Sequence, residues 1–166
     1  MLQKTFKQAT VLLTGIIFLA ACSSSKNTGT TASRDDIKGT WQLDKITYDG
    51  LSSAGNVKLT LLDEGDEKCL EGSTWVFPNN GYGSYTIAPG ATGCAPGQRS
   101  IIWSTRNDGG QTVLQYKILP GGVQAKDVSD GYRLKIISAS GGMMQLQSET
   151  SFDGKSVLIN YAFSKK

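Results

Sequence analysis

From Ile37 onward, apolar and polar residues alternate with a period of two, with no sign of the 3.6 of a helix. Leu114, Tyr116 and Ile118 share one face, with Gln115 and Lys117 opposite. Leu134 and Ile136 oppose Arg133 and Lys135, and Met144 and Leu146 oppose Gln145 and Gln147. A strand with one dry face reads this way, because successive side chains point to opposite sides of the pleat. Turn signals separate the alternating stretches: Asp49-Gly50, Asn79-Asn80-Gly81, Asn107-Asp108-Gly109-Gly110, Gly121-Gly122, Asp130-Gly131, Ser140-Gly141-Gly142 and Asp153-Gly154. Gly supplies the positive φ that hairpin turns require, and Asn and Asp tolerate it. The pattern predicts strands near 39–48, 56–62, 73–77, 82–88, 99–105, 112–119, 132–139, 143–150 and 156–163. No window holds an amphipathic helix of three turns. Eight or nine short strands joined by tight turns make a meander, and closure removes its exposed edges. The expected fold is all-β: an antiparallel up-and-down β-barrel of about eight strands with no major helix.

The N-terminal segment follows another logic. Lys4 and Lys7 precede an apolar run from Ala9 to Leu19, shorter than the about 20 residues that span a bilayer. The run ends in Leu19-Ala20-Ala21-Cys22, and small polar residues begin at Ser23. An ordinary secretory signal whose cleavage site adjoins a cysteine would share these features. Leu-Ala-Ala-Cys also resembles a bacterial lipobox, which implies that Cys22 is lipidated on sulfur, becomes the new N-terminus and is acylated again. Two or more acyl chains, at about 0.8 kcal/mol per buried CH₂, anchor a protein stably where one is marginal. The expected organisation is a lipoprotein signal peptide over 1–21, a flexible lipid-anchored tether over 22–36 and one folded domain over 37–166. The stretch Ser23–Ser33 has one aliphatic residue and a reach of about 15–20 Å as a flexible chain. Ser23 is compatible with outer-membrane sorting by the usual rule for such lipoproteins. No carboxylate follows Cys22 before Asp35. The expected location is the outer membrane, lipid-anchored and facing the periplasm.

Charge and composition then narrow the chemistry. Seventeen Lys+Arg against fourteen Asp+Glu give +3. Lys4 and Lys7 carry most of that excess, and cleavage before Cys22 would remove both. The balance is too weak for a nucleic-acid binder living on phosphate contacts. With no histidine, Ser-His-Asp and Cys-His pairs and the H-E-x-x-H zinc site are excluded. The chain is read as non-enzymatic, with no catalytic residue assigned and no cofactor. With Cys22 given to lipid, Cys69 and Cys94 remain, and in an oxidising compartment this even remainder is read as one disulfide bracing the fold, the alternative being two unrelated buried thiols. Two cysteines without C-x-x-C spacing cannot complete a zinc shell, so no metal site is assigned. Asp63, Glu64, Asp66 and Glu67 around Gly65 do not match a D-x-[DN]-x-[DN]-G calcium loop and read as a solvated turn. Gly154-Lys155-Ser156 has the tail of a P-loop, but Glu149 stands where the first glycine belongs.

The order of several motifs carries a resemblance. Gly39-Thr40-Trp41-Gln42-Leu43 is followed by Cys69, Ser73-Thr74-Trp75-Val76-Phe77, Asn80-Gly81-Tyr82-Gly83-Ser84-Tyr85, Cys94, Ile102-Trp103 and Ile159-Asn160-Tyr161-Ala162-Phe163. This order is similar to that of the lipocalin-like domain of bacterial lipoproteins. The resemblance implies a barrel whose closed end is plugged by Trp41, with Gly39 admitting the N-terminal segment beside it. It departs from the secreted lipocalins in lacking a Thr-Asp-Tyr motif and a C-terminal helix after the last strand. Trp41, Trp75, Trp103, Tyr85, Tyr116, Phe77, Tyr161 and Phe163 all fall on predicted strands, and a barrel of about eight strands is either filled by such residues or holds one small ligand. Two readings stay open. One is a membrane-anchored module binding a small apolar or amphipathic molecule, with its ligand-binding residues unassigned. The other is a lipoprotein with a filled barrel that grips an envelope protein, as an inhibitor or assembly accessory, through the stretch between Cys69 and Cys94.

Overall fold

The computed structural model describes residues 32–51 and 59–166. Eight antiparallel strands close into a barrel in chain order: β1 Gly39–Asp49, β2 Thr74–Phe77, β3 Tyr82–Ile87, β4 Gly97–Asp108, β5 Gln111–Leu119, β6 Tyr132–Ser140, β7 Met143–Phe152 and β8 Lys155–Lys165. Each strand pairs with its neighbours in sequence, and β1 meets β8 through Trp41↔Lys165 to Asp49↔Leu158. The expected up-and-down barrel is therefore the observed one. Two four-residue helices, α1 Arg34–Ile37 and α2 Glu67–Leu70, and a single 3₁₀ turn complete the described elements.

One expected strand is absent among the described residues. Of the predicted stretch 56–62, residues 56–58 lie outside the described residues, and 59–62 contribute only an isolated bridge, Leu61↔Gly65. The apolar run there is buried for a different reason: Leu61 and Leu62 turn into the core instead of joining the wall. At the other end, Ala32 packs against the core and Ser33 caps α1, so the folded unit takes in residues assigned from the sequence to the tether. Ser33 and Asp36 form a reciprocal capping box, which satisfies two orphan donors at the helix start.

In β1 and β6 alternation breaks at a bulge, whereas in β5 Thr112, Val113 and Leu114 are buried in succession without one. In β1, Trp41 and Leu43 point inward, then Asp44 and Lys45 are both exposed, and Ile46 is buried again. The register shifts between Leu43 and Lys45, which is where an extra residue resets the parity. β6 does the same between Ile136 and Ser138.

The interior is filled. Trp75 stacks on Tyr85 at 4.5 Å between ring centroids and meets Tyr116 and Phe163 edge-on at 5.6 and 5.9 Å. Phe77 in turn meets Trp103 edge-on at 5.2 Å. Such rings contribute large apolar burial and favour these offset and T-shaped geometries. Met144 is fully buried while Met143 is exposed, so the pair divides between core and surface. The short β2 lies close to β3 because Gly83 has no side chain: a Cβ there would overlap the Val76 carbonyl and press on Pro78. Gly83→Ala should therefore lower unfolding free energy by about 1–3 kcal/mol through overpacking, read as a lower urea midpoint with an unchanged slope.

Candidate functional site

The two ends of the barrel differ. Helix α1, the short connections 78–81, 109–110 and 141–142 and the last residues of β8 gather at the lower end. The described parts of the β1–β2 connection (50–51 and 59–73) and the connections 88–96 and 120–131 gather at the upper rim. At the lower end the Trp41 indole N–H donates to the Ile37 carbonyl at 2.7 Å, with both side chains buried. Gly39 adopts φ +129°, and a Cβ there would lie 3.0 Å from Lys165 Cε. Arg34 sits 4.2 Å over the Trp103 ring and donates to the Asn79 carbonyl, which ties α1 to the β2–β3 turn.

The upper rim is covered by the β1–β2 connection. Residues 61–65 make a tight turn in which Leu62 and Asp63 both have positive φ (53° and 57°), and Leu61 N–H donates to the Gly65 carbonyl at 2.7 Å. A leucine in this region costs on the order of 1–3 kcal/mol, offset by burial of the Leu62 side chain. Leu61, Leu62, Cys69 and Leu70 join the barrel core from above. Cys69 is bonded to Cys94, with Cα atoms 5.6 Å apart, so the cover is tied covalently to the β3–β4 connection. The stretch between the two cysteines is largely the β2–β3 hairpin of the wall, not a free loop.

The acidic cluster is not a solvated turn. Glu64 receives Arg99 on both oxygens, at 2.8 and 3.0 Å, and the Tyr85 hydroxyl at 2.6 Å. Asp63 receives the Tyr132 hydroxyl, Glu67 receives the Tyr48 hydroxyl at 3.0 Å, and Asp66 caps α2 by accepting from the Lys68 N–H. Glu71 accepts the Ile46 N–H at 2.8 Å. The carboxylates of Asp63, Glu64, Glu67 and Glu71 thus fasten the cover to the barrel wall, while Asp66 serves its own helix. The readable signal is the flanking of the acidic run by Leu61 and Leu62 on one side and Leu70 on the other, which a solvated turn has no use for. The phenols opposite them lie 19 to 69 residues away in sequence, and no local pattern joins them.

Burial raises the pKa of Tyr48, Tyr85, Tyr116 and Tyr132, and hydrogen bonds to Glu67, Glu64 and Asp63 push the first, second and fourth further up. The Tyr116 hydroxyl is fully buried and has no hydrogen-bond partner among the described residues. Tyr161 shares a 3.1 Å hydrogen bond with Ser148.

Beside the cover, the wall is split. The β6–β7 ladder begins only at Lys135↔Gln147. Above it, Tyr132–Leu134 pair towards β5, and Ser148–Phe152 pair only with β8. The gap opens a cleft of about 270 Å³ with Leu61, Leu62, Leu134 and Ile159 as apolar wall, Tyr161, Ser148 and Thr150 as hydroxyl edge, and Arg133 and Glu149 as charged lining. Leu61, Leu62, Leu134 and Ile159 are themselves buried.

The family model for the lipocalin-like domain matches residues 37–146. The chain belongs to that family. The match ends within β7, and the closure of this lipocalin-like barrel by β8 is seen in the ladders on both sides of that strand. No curated protein and no solved structure matches the chain. Among the described residues, no group of three or more Cys, Asp or Glu side chains could hold a metal ion.

Two outcomes test this arrangement. Replacing both Cys69 and Cys94 by alanine should cost about 3–4 kcal/mol for a loop of this length in the chain-entropy picture, measured by denaturant titration. Because the tyrosine pKa values are raised above 10.0 in the folded barrel, the folded state holds its phenolic protons longer than the unfolded chain. That stabilisation is complete below pH 10.0 and is lost as pH rises further. The urea midpoint should fall steadily above that pH, and Tyr85→Phe should flatten the fall.

Proposed function

We propose that this lipocalin-like domain is a non-enzymatic lipoprotein, acylated at Cys22, anchored in the outer membrane and facing the periplasm, that binds a small apolar or amphipathic molecule. Cys22, the signal segment and the tether up to residue 31 lie outside the described residues, and this part of the reading rests on the Leu19-Ala20-Ala21-Cys22 motif. The observation that carries the binding role is the split between β6 and β7, which gives access to a cleft walled by Leu61, Leu62, Leu134 and Ile159 and edged by hydroxyls and by Arg133 and Glu149. With the cover fastened and the interior filled by rings, the cleft accepts a compact molecule, since about 270 Å³ lies below the roughly 300–1,000 Å³ typical of drug-sized ligands. Gly39 and Trp41 serve as the seal of the opposite end, which keeps water from reaching the core behind the ligand.

Native mass spectrometry of the gently purified protein should show a bound small molecule, and Thr150→Trp, which fills the cleft edge, should abolish it while leaving the melting temperature within a few degrees. A purified protein that repeatedly carries no such mass would remove the ligand reading. A second reading, a grip on another envelope protein, draws support from the filled interior and the covalently tied cover. In-cell crosslinking from the outer face of β2–β3 that recovers a single partner, with an empty cleft, would favour it.

A further inference from the structure

We propose that the outer wall carries a second site, a groove over β4 and β5 that takes a small organic anion with an apolar body. The β5–β6 ladder ends at Tyr116↔Tyr132, and Lys117–Leu119 pair only with β4 beyond it. The 120–131 connection therefore stands away from the sheet and leaves a groove of about 480 Å³ on the outside of the barrel. Two contacts fix its shape. Lys117 Nζ donates to the Val128 carbonyl at 2.6 Å, which holds the connection over the strands. Gly131 lets the chain return against β5, since a Cβ there would lie 3.0 Å from the Tyr116 carbonyl oxygen.

The chemistry of the lining selects the ligand. Lys117, Lys126 and Arg133 line the groove and no carboxylate does; Asp127 and Asp130 of the same connection are not among its lining residues. Lys126 and Arg133 are exposed and make no ion pair among the described residues. The half-buried Ile102 supplies an apolar floor, and Ser104 and Ser129 supply hydroxyls. A guanidinium can take a carboxylate by two parallel hydrogen bonds, and an ammonium beside it adds an orientable charge. The groove volume lies inside the range of small-molecule sites, about 300–1,000 Å³. The two cavities flank the start of β6, one towards β5 and the other towards β7, and share Gly131, Tyr132 and Arg133, whereas Ile102, Ser104, Lys117 and Lys126 line the groove alone.

The test is a titration of the purified protein with 2-naphthoate at low salt, followed by NMR at the Ile102 methyl and the Gln115 side-chain amide, with 2-naphthalenemethanol as the neutral comparator. Naphthoate should bind about tenfold more tightly than the alcohol, the size of one charge-assisted hydrogen bond. Lys126→Glu should weaken naphthoate by about the same factor, and Ser104→Trp should erase the Ile102 shift. Thr150→Trp, on the rim cleft, should change neither. Lys126 and Ser104 are exposed on the outer wall, and circular dichroism checks that both variants fold. If Ser104→Trp does not fold, Lys126→Glu decides alone. Equal binding of the alcohol, indifference to Lys126→Glu, or shifts centred on Leu61 and Ile159 would each overturn the proposal.

Discussion

The pairing of β1 with β8 is the constraint on which everything else depends. β1 lends its first four residues to β2 and nearly its whole length to β8. A sheet of eight short strands left open would expose two rows of unpaired backbone groups and one flank of an aromatic core. Closure satisfies the backbone and gives the inner face no outlet. The rings of Trp75, Tyr85, Tyr116 and Phe163 then have to fill a space of fixed width, and they settle into stacked and edge-on contacts. The bulges in β1 and β6 follow from the same demand, since a curved strand has to bend somewhere and keep its inward residues inward.

Filling the barrel moves any recognition to its margins. Phenols at the upper end would be left with buried hydroxyls were it not for the β1–β2 connection, which brings a carboxylate to Tyr48, Tyr85 and Tyr132 in turn. Tyr116, deeper in, receives none. Unpaired buried hydroxyls are rare because their lost hydration is not replaced, so the cover and the phenols hold one another in place. The disulfide adds a covalent tie at the point where α2 passes the β3–β4 connection.

The two cavities at the start of β6 have a common origin. A strand in a closed barrel has to reach both neighbours, yet β6 meets β5 only from Tyr132 to Lys135 and β7 only from Lys135 onward. The strand leans from one neighbour to the other, leaving a gap on each side. The β7 side opens onto apolar residues beneath the cover, with Arg133 and Glu149 at its edge, and the β5 side opens onto Lys117, Lys126 and Arg133 under the 120–131 connection. The two flanks of one strand therefore carry different chemistry.

The architecture was legible along the chain because barrel walls are built from a short-range rule. Leu114 and Tyr116 had to face inward together, and Asp-Gly and Gly-Gly pairs had to turn between such stretches, whatever the rest of the molecule did. Two cysteines left over in one domain likewise foretold the Cys69–Cys94 bond. The stretch 59–62 was misread because an apolar run serves equally as a strand or as an inserted cover, and only the space above Trp75 and Tyr85 distinguishes them. Asp63, Glu64 and Glu67 were misread for a related reason: a carboxylate is a surface residue until a distant phenol or guanidinium is placed opposite it. Tyr132 and Arg99 meet their partners across 69 and 35 residues of chain. The cleft, the groove and the filled interior are volumes, set by how far strands diverge once the sheet is shut, and no sequence of side chains states a volume.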